Sequence, residues 1–486
     1  MTFNKFVYVS LFLFLQVFLS NYILYDFLNN ILSKTNYITS WRNIKSINSN
    51  YLKELEQFEN NNIFKEDVFK HYFFLQTNEN NNVILVKLYK QDIPSKKIST
   101  YYGQISVGEK LENKFKVLFD TGSTEFWIPF EKCKGPKFNS THNKYKRTNS
   151  FKYNYDSKGL PSVLEVDYLS GKIKGFDGYD TVNLGMDLAI PDTNIAFATY
   201  IDIPVLEDFK WDGIVGLGFE NEDSKKRGIK PFFDHIKDSN ILTNKNYKNM
   251  FGYYLTDTGN DGNFDYGGFI TIGGIDNRLK RTPDDEIYWT PVSNEMGYWT
   301  IDILGIRKEK IQNINEESKE KELIVKYEGF HDGSKKSIID SGSFLIYAPK
   351  KTMDNYLNDL VINSCDDKYK LPHIIFQIRA KELNNIKGLA VIELVLSPDD
   401  YVIEYVDKIT YTKNCIIGIQ ADEQTTVDQT NRWTLGQIFL KSYYTIFDRD
   451  NLLVGFVRSN KKTLIHNTYM NKSFIGLRAR RNKKRS

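Results

Sequence analysis

Cysteine is scarce in this chain, which has only three among its 486 residues. None of the three belongs to a CxxC pair or lies near a pair of histidines, so the sequence predicts no zinc site. An excess of charge of one sign is also lacking, because the formal net charge is only +4. So small an excess gives no argument from the whole chain for binding to nucleic acid.

Long helical patterns are equally rare, and short apolar runs take their place. Between residues 120 and 340 such runs alternate with turns rich in Gly, Asn and Asp, as in residues 267–274 and 298–303. Short strands separated by regular turn signals indicate an all-β protein. The chain is too long for one hydrophobic core, so two domains plus extensions are expected.

The most informative feature is a motif that occurs twice. Residues 118–123 read LFDTGS, and residues 338–343 read IIDSGS. Each apolar run indicates a buried strand that ends in an aspartate, and the glycine permits a sharp turn. Two such loops can bring Asp120 and Asp340 face to face, where paired carboxylates share one proton and activate a water molecule. For either segment alone, an ordinary strand-end turn is the alternative.

Both motifs resemble the catalytic loops of pepsin-like aspartic proteinases. Further segments match that family in the same order, and the resemblance extends from residue 101 to residue 457. The matching segments are residues 101–108 (YYGQISVG), 126–129 (FWIP), 168–171 (YLSG), 211–218 (WDGIVGLG), 433–436 (WTLG) and 443–448 (YYTIFD). Within the family, the Asn- and Lys-rich composition looks most like that of the plasmepsins of malaria parasites.

The resemblance implies an all-β, bilobal pepsin-like fold with a central cleft. It also implies an aspartic endopeptidase that cleaves protein or peptide substrates between apolar residues. One member of the Asp120/Asp340 pair accepts a proton from a water molecule, and the other donates a proton to the substrate carbonyl oxygen. The mechanism needs no covalent enzyme intermediate, no metal and no cofactor. The proton is assigned to neither residue, because the two titrate as a pair.

Supporting roles follow from the same resemblance. The motif glycines let backbone amides approach the carboxylates, and the hydroxyl side chains orient the carboxylates or tie the two loops together. Tyr168 corresponds to the flap tyrosine that closes over substrate, Trp127 to its hydrogen-bonding partner, and Gly171 to a further residue of the flap. The residues expected to support the catalytic loops are Thr121, Gly122, Ser123, Ser341, Gly342 and Ser343.

Three residues depart from the family pattern. Glu125 replaces an asparagine that is common after the first motif, and Leu169 replaces the glycine that usually follows the flap tyrosine. Leu169 should stiffen the flap tip and narrow access to the cleft, and both changes are of a kind that restricts substrates. Gln437 stands where many acid-active relatives have aspartate, which leaves the pH optimum open.

The resemblance also bears on the three cysteines. Cys365 and Cys415 lie where the family has a disulfide flanking a loop of the second lobe, so they are expected to pair. Cys133 follows the first motif, where many members close a small loop with two cysteines. Its usual partner is missing, and Cys133 is therefore expected to be free. A disulfide would be compatible with the secretory pathway.

The N-terminal region predicts entry into that pathway. No charged residue occurs from Phe6 to Leu24, so residues 1–25 are interpreted as a signal peptide or as a signal anchor that stays in the membrane. Residues 26–95 resemble a zymogen propeptide in position and character, and a disordered spacer is the alternative. The mature protein would then be secreted or held in a secretory or vacuolar organelle, with a membrane anchor if the apolar segment is kept.

The remaining boundaries follow from the motifs and the charge pattern. Residues 96–285 are expected to form the N-terminal lobe and residues 286–459 the C-terminal lobe. The charged stretch 307–321 is interpreted as a surface-loop insertion. The basic tail, residues 460–486, is expected to be disordered; binding to anionic lipid or nucleic acid, or a processing site, are the alternatives.

Three classes of function compete. An aspartic endopeptidase, monomeric and made as a zymogen, accounts for both complete motifs and needs no nucleic-acid partner. A non-catalytic binding protein that kept the fold would be favoured by loss of an aspartate or a motif glycine, and all four are present. The third class is a structural or adhesion protein tethered by its N-terminus and basic tail.

Overall fold

The computed structural model of the protein describes residues 83–460 with internal gaps. The gaps are residues 109–112, 137, 139–140, 169–170, 185–187, 257–265, 294–296, 315–321, 331–334, 382–390, 408–409 and 424–430. The predicted signal segment, the propeptide before residue 83, Leu169 and the basic tail after residue 460 therefore lie outside the described residues.

β-Strands make up about half of the described chain, and three of them (Gly171–Leu184, Leu188–Asp202 and Thr300–Ile314) have 14 or 15 residues. Those of the first half are β1 (Ile84–Ile93), β2 (Ile98–Val107), β3 (Asn113–Asp120), β4 (Phe126–Lys134), β5 (Lys152–Tyr153), β6 (Val163–Tyr168), β7 (Gly171–Leu184), β8 (Leu188–Asp202), β9 (Gly213–Gly216), β10 (Met250–Leu255) and β11 (Tyr266–Ile272). Those of the second half are β12 (Tyr288–Pro291), β13 (Thr300–Ile314), β14 (Glu322–Phe330), β15 (Lys336–Ile339), β16 (Ile346–Pro349), β17 (His373–Arg379), β18 (Val391–Leu396), β19 (Val402–Val406), β20 (Lys413–Ile417), β21 (Ile419–Asp422), β22 (Arg432–Leu435), β23 (Tyr443–Asp448) and β24 (Leu453–Arg458).

The described α-helices are all short. They are α1 (Glu222–Lys226), α2 (Phe232–Asp238), α3 (Lys350–Tyr356), α4 (Pro398–Tyr401) and α5 (Gln437–Leu440). Within the described ranges, no helix has the length and apolar character needed to cross a bilayer. The predicted all-β class is therefore confirmed.

Two large sheets organise these strands. The larger runs in the order β12-β24-β23-β10-β11-β1-β2-β3-β9-β4-β8-β7-β5, with β6 paired to β7. The second runs β18-β17-β13-β15-β22-β16-β21, with β14 paired to β13. Strands β12, β23 and β24 come from the second half of the sequence yet join the larger sheet, which therefore crosses the predicted lobe boundary at residues 285/286. That boundary stays a prediction.

In the strand that leads to the first aspartate, the order of apolar and charged residues matches which side chains are buried. In β3, Phe115 and Val117 are buried while the alternating Lys114 and Lys116 are exposed. This is the pattern of a strand with one face towards the core and one face towards solvent. From Val117 to Asp120 every residue is buried. A continuous buried run indicates a strand covered on both faces, so the carboxylate of Asp120 emerges from the protein interior.

The charged stretch after residue 306 is not a surface loop as far as the structure describes it. Strand β13 continues to Ile314 and pairs with β14 from Ile306↔Phe330 to Ile314↔Glu322. Its basic side chains find acidic partners: Arg307 Nη2 lies 3.2 Å from Glu393 Oε2, and Lys308 Nζ lies 3.2 Å from an Asp359 carboxylate oxygen. The interpretation as an insertion loop is therefore wrong for residues 307–314. Charged residues can belong to a β-strand when side chains of opposite charge on neighbouring segments pair with them.

Candidate active site

Both aspartates of the repeated motif stand at the end of a strand with a parallel neighbour. Asp120 ends β3, which runs parallel to β9 with Asp120 opposite Gly216. Asp340 follows β15, which runs parallel to β22 with Ile339 opposite Leu435. Each tight loop thus leaves its sheet in the same setting, and the apolar runs read from the sequence are indeed buried strands.

Each carboxylate is held by donors of its own loop. The Gly122 amide donates to Asp120 Oδ1 at 2.8 Å, and the Ser123 hydroxyl donates to Asp120 Oδ2 at 2.6 Å. Around Asp340, the Gly342 amide and the Ser343 hydroxyl make the equivalent bonds at 2.8 and 2.7 Å. Hydrogen bonds to the charged form fix the orientation of a carboxylate and favour its ionised state.

A reciprocal set of hydrogen bonds joins the two loops. The Thr121 amide donates to Ser341 Oγ, and the Ser341 amide donates to Thr121 Oγ1, both at 2.9 Å. Each hydroxyl also donates to a carbonyl of the opposite chain segment: Thr121 to Ile339 at 2.8 Å and Ser341 to Phe119 at 2.7 Å. Both side chains are fully buried. Because every donor has its acceptor in the other half of the chain, this arrangement fixes the distance between the two aspartates.

The motif glycines are required by contact across the loops. A Cβ atom added to Gly122 would lie 2.3 Å from Asp340 Oδ1, and one added to Gly342 would lie 2.4 Å from Asp120 Oδ1. Neither glycine is among the residues with positive φ. The sharp turn therefore does not explain the glycine; the close approach of each backbone to the opposite carboxylate does.

The segment expected to form the flap is an antiparallel hairpin. Strand β6 pairs with β7 from Val163↔Phe176 to Tyr168↔Gly171. Gly171 has φ +141°, and an added Cβ would lie 2.0 Å from the carbonyl oxygen of Asp202. No larger residue fits there, so Gly171 fixes where the hairpin returns from its tip.

Comparison with known proteins agrees with this geometry. A profile described as eukaryotic aspartyl protease matches residues 100–459. The chain belongs to the eukaryotic aspartyl protease family. It is 69% identical over 414 residues to plasmepsin VII of Plasmodium berghei (strain Anka), which covers 85% of each chain. It is 62% identical over 418 residues to plasmepsin VII of Plasmodium falciparum (isolate NF54), with 86% of this chain and 90% of the relative covered. Pepsin A of Sus scrofa is 28% identical over 368 residues, 73% of this chain and 80% of the relative.

Family membership confirms several predictions from the sequence. The protein is an aspartic endopeptidase with protein or peptide substrates, and the resemblance to plasmepsins is borne out. Among the plasmepsins, the sequence favours plasmepsin VII or VIII as the most similar, and two relatives of high identity carry the name plasmepsin VII. Pepsin-like proteases of this kind are secretory or vacuolar.

Burial and a neighbouring carboxylate act on the protonation of Asp120. Burial raises the pKa of Asp120, and the negative charge of Asp340 raises it further. The hydrogen bonds from Ser123 and Gly122 act in the opposite direction. The balance is a raised pKa, as expected where two close carboxylates cannot both ionise easily. In the described ranges, no group of His, Cys, Asp or Glu has the arrangement needed to hold a metal ion.

The hydrogen bond expected between Trp127 and Tyr168 is not formed with ordinary geometry. Trp127 Nε1 and Tyr168 Oη are both buried, and neither atom has a hydrogen-bond partner at ordinary distance and angle in the described part of the chain. Burial raises the pKa of Tyr168, with further contributions from the charges of Glu125 and Asp120, and the Trp127 indole lowers it. The tyrosine is therefore neutral and lies within electrostatic reach of Asp120.

Two residues around the aspartyl protease site were not identified from the sequence. Tyr253 of β10 is fully buried, and its hydroxyl donates to the Phe119 carbonyl at 3.4 Å, beneath the first loop. Arg227, at the end of α1, bonds to Glu125 and to Asp177 of β7. A tyrosine in a strand is typical of any core, and no spacing in the sequence connects residues 125, 177 and 227.

The structure also shows the state of the cysteines. Cys365 and Cys415 form a disulfide, which confirms that pairing. Cys133 is a buried free thiol, and burial raises its pKa to about 12. In place of a second cysteine, the Lys144 ammonium donates to the Cys133 carbonyl at 2.9 Å. A buried thiol of raised pKa is unreactive.

Proposed function

We propose that Asp120 and Asp340 together bind and activate the water molecule that attacks the scissile peptide bond. The observation that carries this assignment is the reciprocal set of hydrogen bonds between Thr121 and Ser341, which holds the two aspartates in equivalent positions. One proton is shared by the pair, so the ionised carboxylate takes a proton from water while the protonated one donates to the substrate carbonyl oxygen.

The other site residues have supporting roles in this proposal. Ser123 and Ser343 orient the outer carboxylate oxygens, and the two motif glycines leave room for the opposite carboxylate. Tyr168 and Gly171 belong to the flap that covers an extended, apolar substrate segment, and Trp127 packs under it. Because Trp127 and Tyr168 are both left without an ordinary hydrogen bond, we propose that they pair when the flap closes over substrate.

Peptide cleavage tests the assignment. Matured enzyme should cut a fluorogenic peptide with an apolar scissile pair between about pH 4 and pH 7.5. Asp120→Ala and a transition-state analogue with a tetrahedral hydroxyl should each abolish cleavage, and Asp120→Ala should retain the fold by circular dichroism. Activity that survives in folded Asp120→Ala would show that the pair is not the catalytic group.

The C-terminal end of the proposed propeptide coincides with strand β1. Residues 26–95 were predicted to be removed, yet β1 lies inside the larger sheet, paired with β11 on one side and β2 on the other. Leu88 is fully buried there. A cut near residue 95 would therefore leave β1 bound by its ladders or remove a central strand. Protein beginning at residue 83 and protein beginning at residue 96 should be compared for thermal stability and for peptide cleavage. Equal stability and activity would show that β1 is dispensable and would support removal of the propeptide as far as residue 95.

Location and association are proposed from the sequence. We propose that the N-terminal apolar segment directs the chain to the secretory pathway, where it is cleaved or kept as an anchor, and that the mature enzyme is a monomer without a nucleic-acid partner. N-terminal sequencing of the mature form and alkaline extraction of membranes separate cleavage from anchoring. Sedimentation analysis tests the monomer.

A further inference from the structure

Two buried carboxylates and a partly buried guanidinium form a cluster behind the first catalytic loop. Arg227 Nη2 contacts Glu125 Oε1 at 2.7 Å, and Arg227 Nη1 contacts the two Asp177 carboxylate oxygens at 3.0 and 2.9 Å. The side chains of Glu125 and Asp177 are 7% and 0% exposed, and that of Arg227 is 16% exposed. A guanidinium with donors in a fixed fork is suited to hold two carboxylates at once.

The three residues come from different parts of the site. Glu125 lies two positions after Ser123, whose hydroxyl holds the Asp120 carboxylate. Asp177 belongs to β7, the returning strand of the flap hairpin, and its neighbour across the hairpin is Ser162, which donates to it at 3.3 Å. Arg227 caps the C-terminal end of α1. The cluster therefore links the flap to the catalytic loop through side chains that do not touch the carboxylate pair.

The charges of the cluster do not balance, because two carboxylates face one guanidinium. Asp177 faces the charged groups Arg227 and Glu125 and the neutral Ser162. Burial raises the pKa of Asp177 to about 6, Arg227 lowers it, and Glu125 raises it. Breaking a buried ion pair by removing one partner is strongly destabilising, since the other charge remains buried. Arg227 is thus the residue on which the cluster depends.

The cluster also acts on the flap tyrosine. The charges of Glu125 and Arg227 both reach Tyr168, the first raising the pKa of its phenol and the second lowering it. Val166 and Tyr168 pack against the apolar cluster that contains Trp127. The position of the phenol is therefore sensitive to how β6 and β7 are held.

We propose that Arg227 is a positioning residue that anchors the flap hairpin to the first catalytic loop through Asp177 and Glu125. The inference rests on the proposed function of the Asp120/Asp340 pair and adds a determinant of substrate binding to it. Glu125, which stands where the family commonly has asparagine, then has a specific purpose: it supplies the second carboxylate that Arg227 needs. A looser flap weakens binding of substrate and transition state alike, which raises KM and leaves kcat nearly unchanged.

The test compares two partly buried arginines, 16% and 13% exposed, in enzyme matured from the full chain. Arg227→Met should raise KM about tenfold with little change in kcat per active site, counted with a tight transition-state analogue. Arg458→Met is the matched control, because Arg458 is 13% exposed and pairs with the buried Asp400 in the second half of the chain. It should lower thermal stability and leave KM unchanged. Arg227→Lys, which keeps the charge without the fork, should give an intermediate KM.

Several outcomes would overturn the proposal. It fails if KM is unchanged in folded Arg227→Met, or if Arg458→Met raises KM equally, since both results would indicate a purely structural role. If Arg227→Met does not fold, Glu125→Gln and Asp177→Asn replace it; each keeps an oxygen acceptor, and unaltered KM in both would be contrary to the proposal. Folded Asp120→Ala that still cleaves peptide would instead refute the proposed function.

A stability measurement adds an independent readout. Arg227 holds the pKa of Asp177 down, so the stabilisation that comes from the Arg227–Asp177 pair is present only while Asp177 is ionised, and the contact with Glu125 adds to it separately. Arg227→Met should therefore lose more thermal stability at pH 7.5 than at pH 5, relative to the parent enzyme at each pH. A loss that is equal at both would show that the Arg227–Asp177 pair does not form in solution.

Discussion

The loops that carry Asp120 and Asp340 make matching hydrogen bonds but have different surroundings. Gly122 and Ser123 hold Asp120 as Gly342 and Ser343 hold Asp340. Next to the first loop lie the buried Glu125 and the partly buried Arg227, which pair with each other and, through Arg227, with Asp177 of β7. Behind the second stands the neutral Gln437, whose amide donates to the Ser341 carbonyl at 2.9 Å.

This difference separates two requirements of the reaction. In the proposed mechanism the carboxylate pair needs symmetry, because either group has to exchange a proton and both have to reach one water molecule. Substrate binding needs asymmetry, because only the first half of the chain carries a flap hairpin in the described residues. We therefore assign the hydrogen bonds that both loops make to the chemical step, and the contacts that only the first loop makes to substrate binding. Equivalent substitutions in the two loops, and substitutions possible in only one of them, test this assignment.

The largest effect is expected from removing either ionisable group. Asp120→Asn and Asp340→Asn each keep an oxygen acceptor and lose the exchangeable proton, so kcat should fall by about 10³-fold or more in both. Because the two groups act as a unit, the double variant should be no worse than either single one. Single-turnover cleavage measures this. Losses that multiply in the double variant would contradict a shared role.

The next largest effect concerns the glycines. Gly122→Ala and Gly342→Ala each place a Cβ against the opposite carboxylate, and we expect about a hundredfold loss of kcat/KM from either, because the pair must separate. Gly329→Ala is the control, since its Cβ would meet nothing within 4 Å. A normal rate in one of the two glycine variants would show that the loops are not equivalent.

The glycines also show how far the sequence could be interpreted. The repeated motif predicted both strand-end loops and both aspartates, and the family resemblance implied the contacts of the loop hydroxyls. The reason for the glycine was not predictable, since it depends on a carboxylate from the other half of the chain. The same limit applies to Glu125, Asp177 and Arg227, whose contacts depend on tertiary packing alone.

The charged ladder of β13 was misinterpreted for a related reason. Alternating Lys, Arg and Glu after Ile306 suggest solvated loop material when each residue is considered alone. Their acidic and basic partners lie on other segments, such as Glu393 of β18 and Asp359. Cross-strand pairing of this kind cannot be recognised until the register of the strands is known.

A smaller effect is expected from Ser123. The Ser123 hydroxyl lowers the pKa of Asp120, so Ser123→Ala should raise it and move the basic limb of the kcat/KM profile to higher pH, by less than about one pH unit. Ser343→Ala is the matched variant in the second loop, where Asp340 also accepts from the backbone amides of Gly342 and Ser343. The measurement is the pH profile of kcat/KM for each variant, compared with that of the parent enzyme. A shift of the Ser123→Ala limb to lower pH would contradict the assigned hydrogen bond.

The smallest effect on activity is expected from the disulfide, which only the second half of the chain has among the described cysteines. Replacing Cys365 and Cys415 by serine should lower the free energy of unfolding by about 2–4 kcal/mol, because the crosslink no longer restricts the unfolded loop between them. Urea denaturation with and without reductant measures the loss, and Cys133→Ala serves as the single-thiol control. Since the disulfide lies outside the hydrogen bonds that join the loops, kcat/KM of the folded double-serine variant should stay at the parent value. A loss of kcat/KM at full folding would mean that the second lobe positions Asp340 through this crosslink, and the separation of chemistry from its surroundings would no longer hold.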